Sequence, residues 1–171
     1  MNSIKSCLIL ALYLVLAPLS LHAADEPCLK RVFNQYCLGG AAPEGAPRDS
    51  ESHLTADAQG NIALQIREGR IVAVSRQLQP ANWISFTELK VKLVRLYSTA
   101  KDVSDFPLYA TSRSSKLNAI RAERGYAAAR WERLGWAIQL EWRSLDHLTL
   151  RYELTTPVGP QAAPIDTLEG L

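Results

Sequence analysis

Residues 126–155 read YAAARWERLGWAIQLEWRSLDHLTLRYELT. Within them Trp136, Ile138, Leu140 and Trp142 alternate with Ala137, Gln139, Glu141 and Arg143. After a short break Leu148, Leu150, Tyr152 and Leu154 alternate with Thr149, Arg151, Glu153 and Thr155. Side chains on a strand point to opposite faces in turn, so this period of two predicts strands with one apolar and one wet face. Ala127, Ala129 and Trp131 predict a further strand ahead of Gly135. The breaks are too short for a crossover, so the three strands are expected to form an antiparallel meander. Three of the chain's four tryptophans lie on its apolar face, which makes it the place where large side chains can be buried together.

Working back from the meander, Ser85-Phe86-Thr87-Glu88 reads as a capping box, with Ile84 and Leu89 placed to form a hydrophobic staple. Phe86, Leu89, Leu93, Leu96 and Tyr97 then share one helical face, while Lys90, Lys92 and Arg95 stay wet. That face should lie on a sheet. Residues 98–113, STAKDVSDFPLYATSR, read as a long loop in which Phe106 and Tyr109 pack down as a lid over the core. Ser114 or Ser115 can cap a short helix over 115–124, buried through Leu117 and Ile120 and ended by Gly125.

Further back, Leu54–Asp57, Asn61–Arg67 and Arg70–Leu78 read as strands, separated by turns at Ala58-Gln59-Gly60 and Glu68-Gly69. A two-residue second turn would set Leu64 opposite Ala73 and mix the faces. A three-residue loop, Arg67-Glu68-Gly69, sets Ile62 opposite Val74 and Leu64 opposite Val72, and is the expected register. The fold class is therefore α+β, in the order βββααβββ, with a helix packed on a curved sheet. The two meanders can form one sheet, or the later half can stand as a unit with the first meander added at an edge.

The first twenty-three residues have the layout of a secretory signal peptide: Lys5, an apolar run over Cys7–Leu16, and a small-residue end at Ala23. The run is too short to span a bilayer, and nothing after it is long and apolar enough to do so. Export to the periplasm or secretion is the expected outcome. Removal of that segment leaves 148 residues, enough for one core, with 18 basic and 17 acidic side chains. Such a balance lacks the positive excess of a general nucleic-acid binder.

The remaining cysteines, Cys28 and Cys37, are expected to pair in an oxidising compartment. The 24–38 segment can form a short helix from Pro27, with Leu29, Val32, Phe33 and Tyr36 as its apolar stripe. A continuous helix would hold the two cysteines about 13 Å apart, too far for a disulfide, so a bend near Asn34-Gln35 is needed. Residues 39–52, GGAAPEGAPRDSES, read as a flexible linker to a domain over 53–156. The tail 157–171 has no period and is expected to be disordered.

No glycine-flanked nucleophilic serine, phosphate-binding glycine loop or paired-histidine zinc helix is present, and no cofactor or metal motif. His53 and His147 stand apart from each other and show no ligand spacing. Residues 88–133 carry ten basic and five acidic side chains. Arg113, Lys116, Arg121, Arg124, Arg130 and Arg133 form the candidate binding surface, suited to an acidic protein or another anionic component of the cell envelope. The expectation is an exported, non-enzymatic adaptor, inhibitor or assembly factor. The alternative is a small enzyme or ligand carrier with a pocket beneath the 98–113 loop.

Overall fold

The computed structural model describes residues 28–55 and 62–156. The signal segment, the turn at Ala58-Gln59-Gly60 and the tail from 157 lie outside the described residues. In chain order come β1 (Lys30–Val32), β2 (Tyr36–Leu38), β3 (Ser50–Thr55), β4 (Ile62–Arg67) and β5 (Arg70–Leu78). Then follow α1 (Trp83–Tyr97), β6 (Lys101–Asp102), α2 (Arg113–Arg121), β7 (Ala127–Arg133), β8 (Trp136–Trp142) and β9 (Leu148–Leu154). The mixture of antiparallel sheet with two helices is the expected class.

The closing meander forms as its alternation requires. Ala129 faces Leu140, Leu140 faces Leu150, and Ile138 sits between Trp131 and Tyr152, all of them buried. Both meanders belong to one sheet in the order β3-β4-β5-β9-β8-β7-β6. The join is the antiparallel pairing of β5 with β9, from Ala73 opposite Glu153 to Leu78 opposite Leu148. It carries the buried rows across, since Tyr152 faces Val74 and Val74 faces Leu64.

The apolar face of this sheet is covered by α1 and by the β1–β2 hairpin. Trp142 meets Trp83 and Phe86 with ring centroids 6.1 and 6.3 Å apart, and Tyr97 meets Trp136 edge-on at 6.0 Å. The helix thus starts over one end of β8 and finishes over the other. Its fifteen residues span about 22 Å, which matches the seven residues of β8. Phe86 and Leu93 are buried and Leu89 and Tyr97 half-buried, but Leu96 turns out to solvent with 73% of its surface exposed.

Several boundaries differ from expectation, each for a local reason. The cysteine segment is a hairpin, not a helix: Phe33 and Asn34 both take positive φ, and Val32 then pairs with Tyr36. Reversal of the chain brings the Cα atoms of Cys28 and Cys37 to 5.3 Å and lets the disulfide close. It also sends Val32 and Leu38 into the core, with Phe33 edge-on to Tyr152 at 5.6 Å. The 39–52 stretch is not a free linker. Gly39 N–H donates to Ile71 O, Ile71 N–H to Gly40 O, Ala42 N–H to Gly69 O and Gly69 N–H to Arg48 O, and β3 already begins at Ser50. Its lack of side-chain period hid bonds made by the backbone.

The β4–β5 turn is also corrected. Arg67 pairs with Arg70, so the loop has two residues, and Glu68 and Gly69 both take positive φ as a primed hairpin turn requires. The faces still sort because the register shifts between Gln65 and Ile66, leaving Val72 as the extra residue. Leu64 consequently faces Val74, and Ile62 faces Arg76.

Helix α1 begins earlier than the capping box implies. Asn82 is the cap, its Oδ1 accepting from Ser85 N–H at 2.9 Å, and the extra turn carries Trp83 onto Trp142. The second helix begins at Arg113, capped by Ser112 in a reciprocal box with Ser115. Its left-handed exit residue is Glu123 rather than Gly125. Gly125 serves close approach instead: a Cβ there would lie 2.9 Å from both Asp105 O and Phe106 Cδ1.

Candidate functional site

α2 places Arg113, Leu117 and Arg121 four residues apart on one helical stripe, and all three line a groove of about 250 Å³. Across from them stand Ala81–Ile84 at the start of α1, with Trp142 and Leu145 from the end of β8 and the turn after it. Capping by Asn82 determines this wall, because it sets where α1 starts. Ile84 and Leu145 are 63% and 50% exposed, so the groove has an apolar rim as well as an apolar floor. The Arg113 guanidinium sits 5.5 Å from the Trp83 ring centroid, a cation–π contact that holds it at one end.

Neither Arg113 nor Arg121 is within ion-pair distance of a carboxylate among the described residues. Beside them the Trp142 indole Nε1 is buried with no hydrogen-bond partner among the described residues. A buried donor left unpaired costs about 1–3 kcal/mol.

The six expected surface cations do not form one patch. Lys116 lies 5.2 Å from the Phe106 ring centroid and Arg124 5.8 Å from that of Tyr109, both turned toward the 98–113 loop. Arg133 donates to Tyr97 O and covers the Tyr97 ring, at the far end of β8 from Trp142. Arg130 pairs opposite Gln139 on the sheet face that α1 leaves open. There it donates to Glu153 at 2.6 Å, to Glu132 at 3.3 Å and to Gln139 at 3.3 Å. Arg151 joins Glu153 at 2.8 Å and reaches Gln65. Burial alone would raise the Glu153 carboxyl, but Arg151 and Arg130 override it and hold it below the ordinary carboxylate value. This neighbourhood is balanced and internally bonded, so Arg130 is a sheet-face strut and not a free cation.

The 98–113 loop is tied down along one side. Val103 N–H donates to Ala128 O, Asp105 and Tyr126 exchange backbone bonds at 3.0 and 2.7 Å, and the Ser104 hydroxyl bridges to Ala128. Hydrogen bonding by Ser104, aided by Lys90 and Lys116, holds the Asp102 carboxyl below its ordinary value. Phe106 packs against the core, whereas Tyr109 is 57% exposed and Leu108 almost wholly so.

Cys28 and Cys37 are paired. Among the described residues no three His, Cys, Asp or Glu side chains gather closely enough to hold a metal ion. No helix among them is long and apolar enough to cross a membrane. The groove's α1 wall was missed from sequence because Trp83 lies before the Ser85 capping box, outside the expected helix, and is distant in the chain from Trp142. The Arg113-Leu117-Arg121 spacing becomes a stripe only because α2 begins at Arg113, two residues before the expected start. No protein-family model matches the chain, and no curated protein or solved structure matches it.

Proposed function

We propose that the chain is an exported, non-enzymatic interaction module that holds an anionic partner on its α2 side. The observation that carries this reading is the pair Arg113 and Arg121, one stripe of α2, flanking an apolar groove with no carboxylate within ion-pair distance of either among the described residues. A guanidinium without a local partner adds to the positive potential that draws and orients an acidic surface. Export rests on the signal-like layout of residues 1–23, and a paired Cys28–Cys37 is compatible with an oxidising compartment. The reading as a small enzyme or ligand carrier draws no support from the 98–113 loop, whose strand-like half is bonded to β7.

The test is affinity capture from envelope extract with three baits: the wild type, the Arg113→Glu/Arg121→Glu variant, and an Arg95→Glu control on the exposed end of α1. A partner retained by wild type and control but lost by the double variant is the expected result. A partner held equally by all three, or none at all, would overturn the assignment of this face.

A further inference from the structure

The groove also specifies the shape of its occupant. Arg113 and Arg121 leave α2 eight residues apart, about 12 Å along its axis, with Leu117 midway at about 6 Å from each. An extended peptide repeats side chains on one face every two residues, about 6.7 Å. The two spacings match over three positions. We propose that the groove binds an extended segment of a partner protein in which a large apolar residue lies between two acidic ones, each two residues away. This rests on the interaction-module reading and names its partner's chemistry.

Each feature of the groove has a use in that complex. The acidic side chains meet the Arg113 and Arg121 guanidiniums, and the apolar one enters between Leu117 and Trp83 over Trp142. A volume of about 250 Å³ suits one large side chain and is small for a cofactor. A single phosphate, or the compact headgroup of a lipid, has its charges too close together to reach both arginines across the apolar stretch.

The experiment titrates the purified protein with the peptide Ser-Glu-Ser-Leu-Ser-Glu-Ser, blocked at both ends, and follows the Trp142 indole N–H by nuclear magnetic resonance. Comparison peptides replace Leu by Ser, or bring the two Glu residues to within two positions of each other. The expected result is a shifted Trp142 signal, with affinity reduced roughly tenfold by either peptide change and by Arg113→Ala or Arg121→Ala. Because the peptide changes leave the protein intact, a folding defect cannot imitate them. Equal affinity for all peptides, or binding displaced by millimolar inorganic phosphate or anionic vesicles, would overturn the proposal. If envelope capture still depends on the two arginines while the peptides show no preference, the interaction module stands and only the peptide assignment fails.

Discussion

At Glu153 one carboxylate accepts hydrogen bonds from guanidiniums on two strands, Arg130 at 2.6 Å from β7 and Arg151 at 2.8 Å from β9 itself. Its side chain is 24% exposed, enough shielding for the pair to count and enough water to screen it. The folded-state pKa lies below the ordinary 4.5. The unfolded chain therefore takes up a proton first as pH falls, and the stabilisation is present above that ordinary value and lost as pH drops through the folded one. Glu153→Gln should cost about 1 kcal/mol near neutral pH. The deficit should shrink as the pH is taken well below the ordinary carboxylate value, where the wild-type carboxylate also becomes neutralised. Urea midpoints at the two pH values measure this, and a deficit of the same size at both would assign the loss to packing instead of charge.

At the scale of elements, the disagreement over where α1 begins gives a direct comparison. Asn82 and Ser85 are both good capping residues, but only Asn82 accepts from the backbone of the first turn. Asn82→Ala should destabilise the protein by about 1 kcal/mol, and Ser85→Ala should change it by less than about 0.5 kcal/mol. Thermal or urea unfolding of the two variants decides the matter; the reverse order would restore Ser85 as the cap. Both residues precede one amphipathic run, so chain pattern alone could not rank them, and the choice fell to the Trp83–Trp142 contact. The cysteine hairpin was hidden for a similar reason. Leu29, Val32, Phe33 and Tyr36 fit a helical stripe, yet as a hairpin Val32 and Leu38 reach the common core, and closing its ten-residue loop with a disulfide adds about 2–3 kcal/mol. By contrast β7, β8 and β9 were legible almost residue for residue, because a buried face enforces the period of two along each strand.

For the whole molecule, the β5–β9 pairing decides whether there are two small units or one. Val74 and Tyr152 face each other across it, and a buried row runs without interruption from Leu64 through Val74, Tyr152 and Ile138 to Trp131. A single shared core of this size should unfold cooperatively. Tryptophan fluorescence reports Trp131, Trp136 and Trp142 in the later meander and Trp83 on α1 beside it, while far-ultraviolet circular dichroism reports all strands. The two signals should give coincident urea transitions. Separate midpoints would mean that the first meander folds and unfolds on its own, and that its pairing through β5 contributes little to stability.

The amino-acid sequence by itself determined the alternating strands, the two helices between them and the pairing partners in the cysteine segment. These follow from side-chain period and local backbone chemistry, which act over a few residues. Tertiary structure alone decided that both meanders share one sheet, that the cysteine segment folds as a hairpin, and that Arg130 is consumed by Glu153 while Arg113 and Arg121 are left facing a groove. Those outcomes depend on which distant surfaces can be buried together, and burial is a property of the assembled core rather than of any one stretch of chain.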